Sequence, residues 1–228
     1  RDAQPSFTLY RMRFTDETGR ERETVGVVGA LEVVDEGAPG VLPHERTTPK
    51  AKTDRLDLTR ATNTNLSPVW GLSLTEGLTD LLREPGEPMG TCRDEAGVLH
   101  IVERVSHPQR VAAIAAAVGS HPVLIADGHH RYETALNYQK LRRQQASTST
   151  GPQPYDSVLM LLAPLEDPGL TVLPTHRVTT TPLPPFEQIK QMLGDVFEFR
   201  EFPFTPSSHE QVRTQFLTSL RTEGTKVP

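Results

Sequence analysis

Pro122-Val-Leu-Ile-Ala-Asp-Gly-His-His-Arg-Tyr-Glu-Thr-Ala-Leu136 decides how the rest of the chain is read. Its apolar run, Val123 to Ala126, breaks at Asp127-Gly128, and a helical pattern begins at once. Upstream, Val111, Ile114, Ala115 and Val118 fall at i, i+3, i+4 and i+7. That spacing predicts a helix over 108–118, ended by Gly119. Downstream, Tyr132, Ala135, Leu136 and Gln139 mark one face of a helix running from Gly128 to Arg143, with Lys140, Arg142 and Arg143 complementing the dipole at its C-terminus. Helix, strand, helix is an α/β unit, and such sheets bind ligands at the carboxyl ends of their strands.

A strand that breaks at a glycine and passes straight into a helix aims several free backbone N–H groups and the positive end of the helix dipole at one place. That place suits a phosphate. His129 and His130 add side-chain donors, and the Arg131 guanidinium has the geometry to grip two phosphate oxygens. Asp127 reads as the helix N-cap, as a metal ligand through water, or as the orienter of a histidine. An ordinary cap needs only Asp127 and Gly128. Adjacent histidines on a helix point about 100° apart and seldom share a metal, so no metal site is assigned to protein ligands.

Toward the N-terminus, Phe7 to Phe14 alternates and Val25 to Val34 is β-branched and almost continuously apolar, with Thr15-Asp-Glu-Thr-Gly-Arg20 between them. This predicts a hairpin whose second strand lies inside a sheet covered on both faces. Helices are expected over 53–62 and 77–83, a strand over 69–74, a turn-rich break over 84–88 and a second hairpin around Asp94-Glu-Ala-Gly97. The segment Tyr155 to Ala163 reads as another central strand. Beyond it come a strand over 170–180, a helix over 185–193, a Phe-rich strand over 196–202 and a helix over 207–220. The Ser-Thr-rich stretch between Gln144 and Pro154 reads as a flexible loop. The fold class is α/β (α+β), a mixed sheet with flanking helices. A core over 1–182 and a C-terminal α/β extension over 183–228 are the expected domains.

Two further polar clusters accompany the turn. Pro43 and Pro49 stiffen the backbone on either side of His44-Glu45-Arg46. Stiff polar loops at strand ends carry chemistry. Glu45, beside His44, is the candidate general base toward a hydroxyl, with Arg46 or Lys50 holding an anionic group. A solvated connector is the competing reading. Asp54 and Arg55 follow as lesser candidates, since Asp54 can simply cap the next helix. His176-Arg177, on the expected 170–180 strand, is the third cluster, and a solvent-facing edge explains it as well.

Composition bounds these readings. The 228 residues, 36% hydrophobic and 23% charged, are ordinary for one large domain or two small ones. A net charge of -5 argues against a general grip on nucleic acid. The single cysteine, Cys92, excludes an internal disulfide and points to a reducing cytoplasm. No apolar run approaches the roughly 18 residues needed to span a bilayer, and no signal peptide opens the chain. P-loop, Rossmann and Gly-x-Ser-x-Gly patterns do not occur. Arg1 at the start and Thr225-Lys-Val-Pro228 at the end suggest a piece of a longer protein.

Val41-Leu-Pro-His-Glu-Arg-Thr47 with Lys50 or Lys52 and Asp54-Arg55, then Ala61-Thr62, Asn65-Leu-Ser-Pro68, Ile125-Ala-Asp-Gly-His-His-Arg-Tyr-Glu-Thr-Ala135 and Thr171-Val-Leu-Pro-Thr-His-Arg-Val178 together resemble a domain-of-unknown-function family, DUF1015. The likeness runs through most of the chain, and Asp127-Gly-His-His-Arg131 is its most specific part. That family is similar to the free-serine kinases of the ParB/sulfiredoxin-like fold, which bind nucleotide phosphates with a Gly-x-x-Arg turn. Here that turn is Gly128-His129-His130-Arg131. The resemblance implies an ATP- or ADP-dependent phosphotransferase using Mg2+ and acting on a small hydroxyl compound such as L-serine. It makes Glu45 the base and Arg46, Lys50, Arg55, His176 and Arg177 the substrate side. Full-length members carry further chain at both ends, so part of the pocket is expected to lie outside this sequence. A ParB-like nucleotide switch or partner-binding module without small-molecule kinase activity is the alternative. An inactive fragment is the third reading, and a homodimer is compatible with all of them.

Overall fold

A computed structural model describes residues 2, 4–16, 19–35, 37–42, 49–145, 151–171 and 178–224, leaving aside the side chains of 49–53, 221, 223 and 224. The chain divides into two compact units, Arg1–Val172 and Leu173–Pro228. In the first, β1 (Phe7–Thr15), β2 (Glu21–Glu32), β3 (Val41–Leu42), β4 (Val69–Ser73), β5 (Glu87–Arg93), β6 (Leu99–Val105), β7 (Val123–Asp127) and β8 (Ser157–Pro164) form one sheet. Their order is β3-β7-β4-β8-β2-β1-β6-β5. Pairing is antiparallel throughout, apart from the parallel pairs β3·β7 and β4·β8. The helices α1 (Pro49–Thr62), α2 (Leu78–Arg83), α3 (Pro108–Gly119) and α4 (His129–Gln145) complete the unit, with a short 3-10 turn over Pro154–Asp156. An α/β fold with a mixed sheet and flanking helices is what the sequence predicted.

Each central strand sits where its side chains require. β2 lies between β8 and β1, and Thr24 to Val27 are buried in succession, as a strand covered on both faces must be. β8 is flanked by β2 and β4, and Met160 to Ala163 are buried without alternation. Leu9, Val27, Val69, Ile125, Val158 and Met160 from the sheet join Leu78 and Leu82 of α2, Ile114 of α3, and Tyr132 and Leu136 of α4 in one hydrophobic cluster. The first hairpin turns where expected, with the Gly19 N–H donating to the Asp16 carbonyl at 2.9 Å.

Several polar groups lock this unit. Arg11 is 4% exposed. Its Nε donates to Glu103 at 2.9 Å, and its Nη2 donates to the carbonyls of Leu82 at 2.6 Å and Arg83 at 3.0 Å. A cation thus closes the C-terminus of α2, where carbonyls lack helical partners. Buried Asp167 accepts from the Val25 N–H at 3.1 Å and the Thr24 hydroxyl at 3.0 Å, pinning the chain after β8 against β2.

Some expectations change. Val41–Leu42 is a short strand parallel to β7, where the sequence suggested only loop. α1 opens at Pro49, four residues earlier than expected, a position proline favours because its missing N–H has no helical partner there. β5 begins at Glu87, inside the expected break. The expected strand over 170–180 falls largely on undescribed residues, and Thr171 and 178–180 at its flanks are not β-structure; of the expected loop over 144–154, 144 and 145 end α4 and 146–150 lie outside the described residues.

In the second unit, α5 (Phe186–Leu193) and α6 (His209–Gly224) match the expected helices. The Phe-rich strand over 196–202 does not form. A strand needs a neighbour for its N–H and C=O groups, and here the aromatic residues pack on the helices instead. Phe199 meets Phe186 edge-on at 5.9 Å and Phe202 meets Phe216 at 5.4 Å.

Candidate functional site

The β7–α4 junction is built as the sequence suggested, with one change of role. α4 starts at His129, so Gly128, not Asp127, stands immediately before the first helical residue, and its carbonyl accepts from the N–H groups of Arg131 at 2.8 Å and Tyr132 at 3.0 Å. Gly128 has φ +94°, a conformation that a side chain would strain. Asp127 is the last residue of β7 and pairs across to Trp70, beside a register shift between Trp70 and Gly71 of β4. Such irregularities re-aim side chains at strand ends. The Asp127 carboxylate accepts from the Arg131 guanidinium, one helical turn on. The correction to the N-cap role is therefore geometric: the carboxylate faces a guanidinium across a turn of the helix.

Arg131 is held from both sides. Its Nη1 donates to the Pro68 carbonyl and its Nη2 to Asp127. The guanidinium lies over Gly128, so that a Cβ there would come within 2.7 Å of Arg131 Nε. In this arrangement Arg131 already serves two internal acceptors. His129 is 4% exposed and packed within the protein, and His130 is half-buried.

α4 places Arg131, Thr134, Ala135, Tyr138 and Arg142 on one face, at i, i+3, i+4, i+7 and i+11. This face and α1, with the 63–67 segment that follows it, enclose a pocket of about 510 Å³. That volume lies in the range of small-molecule and cofactor sites. Arg55, Arg131 and Arg142 line it, and among the described residues its lining contains no aspartate or glutamate. The lining is otherwise rich in amide and hydroxyl groups, among them Asn63, Asn65, Ser67, Thr134 and Tyr155. Such a pocket favours an anion and offers donors to its oxygens.

At the α1 end, Asn63 takes the left-handed conformation, φ +49°, and its N–H donates to the Thr59 carbonyl at 2.8 Å, closing the helix. Its Oδ1 accepts from the Tyr138 hydroxyl at 2.6 Å and from Arg142 Nη1 at 3.3 Å. Arg142 Nη1 also donates to the Tyr138 hydroxyl at 3.2 Å. Its guanidinium lies 5.8 Å from the Tyr138 ring centre and 5.5 Å from that of Tyr155. Next to this cluster, Arg143 pairs with Asp156, whose carboxylate also accepts from the Gln153 N–H at 2.7 Å and from Gln139 at 3.3 Å. Burial pushes the Asp156 carboxyl up, but the Gln153 and Arg143 donors outweigh it and hold the group below its ordinary value.

Of the residues singled out in the sequence, the structure brings Arg55 and Arg131 to one pocket and sets Asp127 and Gly128 against Arg131. Lys50 lies in the first turn of α1, with its side chain outside the description. His44, Glu45, Arg46, His176 and Arg177 lie outside the described residues. Among the described residues no group of three or more His, Cys, Asp or Glu could hold a metal ion, and no helix is long and apolar enough to cross a membrane. Sequence reasoning missed Asn63, Tyr138, Arg142 and Tyr155. The periodicity from Arg131 to Arg142 carried the signal, because it is polar on the same helix whose apolar face was read.

No curated protein and no solved structure matches the chain. A family model described as "Protein of unknown function (DUF1015)" matches residues 1–225, and the chain belongs to that family.

Proposed function

We propose that this chain is a nucleotide-dependent phosphotransferase acting on a small hydroxyl compound such as free L-serine. ATP or ADP with Mg2+ supplies the phosphoryl group, and the nucleotide phosphates seat at the Gly128–Arg131 turn beside the pocket. One observation carries this reading: Arg55, Arg131 and Arg142 line a pocket whose described lining holds no carboxylate, next to a strand-to-helix junction. Phosphoryl transfer asks the protein mainly for positioning and charge neutralisation. Three guanidiniums and a helix N-terminus are suited to both. The proposal keeps Glu45 as the base that takes the acceptor's proton, with His44 beside it. Arg46, Lys50, Arg55, His176 and Arg177 hold the acceptor. A ParB/sulfiredoxin-like core, related to the free-serine kinases, is part of the same proposal.

Calorimetric titration with ADP, ATP and CTP in the presence of Mg2+ tests it. ADP or ATP should bind, and Arg131→Ala should weaken the binding. Transfer of labelled phosphate to an amino acid or sugar should follow and should be lost in Glu45→Ala. Absence of binding by all three nucleotides removes the proposal. Binding without transfer to any acceptor, with Glu45→Ala silent, replaces it by a nucleotide switch.

A further inference from the structure

The arginines of the pocket differ in what already neutralises them. Arg131 is paired with Asp127 and donates to a backbone carbonyl. Arg142 is held by neutral groups alone: Asn63 Oδ1, the Tyr138 hydroxyl and two tyrosine rings. Among the described residues no carboxylate pairs with it. Both of its hydrogen bonds leave from Nη1. The Nε–Nη2 edge, the side-on fork that matches two oxygens of a carboxylate or phosphate, makes no hydrogen bond among the described residues. The side chain is thus oriented without an ion-pair partner among the described residues, and has a bidentate edge left over on a residue lining a pocket whose described lining holds no acidic residue. Pre-organisation of this kind lowers the cost of binding.

We infer that Arg142, oriented by Asn63, Tyr138 and Tyr155, is a second oxyanion subsite of the pocket, distinct from the Gly128–Arg131 turn. Eleven residues separate Arg131 from Arg142 on α4, which sets their backbones on the order of 16 Å apart along the helix. The ligand of this pocket is therefore an elongated small molecule with an oxyanion, phosphate or carboxylate, at the Arg142 end, its other end reaching toward the turn. This assignment rests on the proposed use of the pocket for phosphorylated ligands and adds where a ligand oxyanion is gripped.

The test measures binding of inorganic pyrophosphate, succinate, ADP and ATP to the full chain by calorimetry. Wild type is compared with Arg142→Gln, Arg142→Lys and Arg131→Gln, each first checked by thermal melting. Arg142→Gln should weaken at least one probe by roughly tenfold or more, the scale for removing one side of a hydrogen-bonded charge pair. Arg142→Lys keeps the charge but not the fork, and should recover only part of the loss. A loss for pyrophosphate or a nucleotide assigns the subsite to phosphate, and a loss confined to succinate assigns it to carboxylate. If ADP or ATP binds and Arg142→Gln leaves every probe unchanged, the subsite is overturned while the nucleotide proposal stands. If neither nucleotide binds but pyrophosphate or succinate does, with loss in Arg142→Gln, the subsite stands without the nucleotide proposal. If no probe binds the wild type, both fall. Arg142→Lys matching wild type for every probe also overturns the subsite, since charge alone would then explain the binding.

Discussion

Arg11 and Arg142 are both fixed by several partners, but the partners differ in kind. Around Arg11 the structure supplies Glu103, Glu23 and the carbonyls at the end of α2. Around Arg142 it supplies an amide oxygen, a phenol and two aromatic faces. The first site leaves the guanidinium no work beyond holding β1, β6 and α2 together. The second leaves a pocket-lining cation whose Nε–Nη2 edge makes no hydrogen bond among the described residues. Partner chemistry, alongside burial, separates a structural arginine from one available to a ligand.

The largest effect should come at the structural end. Arg11→Met leaves Glu103, 6% exposed, without its cation, and breaking such a buried pair costs about 3–5 kcal/mol. Urea unfolding should show that loss. Arg142→Met gives up two hydrogen bonds to neutral groups and two aromatic contacts, leaves no buried charge unpaired, and should cost about 1–2 kcal/mol; a loss equal to that of Arg11→Met would end the contrast.

Arg131 stands between the two, with one carboxylate and one carbonyl. Gly128→Ala should destabilise by about 1–3 kcal/mol, the scale for a strained left-handed backbone, and the added methyl should also displace Arg131. Combining it with Arg131→Ala should recover the steric part in a double-mutant cycle. Strict additivity there would show that the guanidinium does not occupy the space over the glycine.

A third substitution converts one arginine type into the other. Asn63→Asp places a carboxylate beside Arg142 at a position whose left-handed backbone aspartate tolerates. The melting temperature should hold or rise slightly, while oxyanion binding at the Arg142 end should fall. Unchanged binding of pyrophosphate and succinate in this variant would count against partner chemistry as the deciding factor.

The smallest effect concerns the neighbouring pair, Arg143 and Asp156. Because the folded protein holds the Asp156 carboxyl below its unfolded value, its contribution to stability is present above about pH 4, the unfolded aspartate value. It is lost as pH falls through the lower folded value. Acid titration of the melting temperature should show this loss, and Asp156→Asn should flatten that part of the curve.

The sequence made most of the first unit readable, because its elements advertise themselves locally. Val25–Val34 and Val158–Leu162 carry no polar alternation, so their central places in the sheet follow from burial on both faces. The Asp127-Gly128 break is legible for the same reason: only glycine takes φ +94° at small cost. The fate of Arg131 was hidden, since one of its acceptors is the carbonyl of Pro68, 63 residues upstream, besides the Asp127 carboxylate at the end of β7. The Arg142 cluster was hidden likewise. Asn63 announces a helix end, and nothing local says that its amide oxygen will orient an arginine 79 residues later. The misread strand over 196–202 had the right composition but lacked a partner, which no single segment can reveal.

β8 has a consequence for the order of assembly. Among the described residues it is the last strand of the sheet in sequence, yet it joins β4 to β2. Without it, β3-β7-β4 and β2-β1-β6-β5 share no strand pairing among the described residues. A nascent chain that has not yet released Ser157–Pro164 therefore presents two half-sheets, each with an exposed inner edge. The middle of the sheet closes after its margins. Chains ending at Asp156 should be degraded readily by protease and bind chaperones, and extension through Pro164 should abolish both, whereas protection already in place at Asp156 would show that the halves associate without β8.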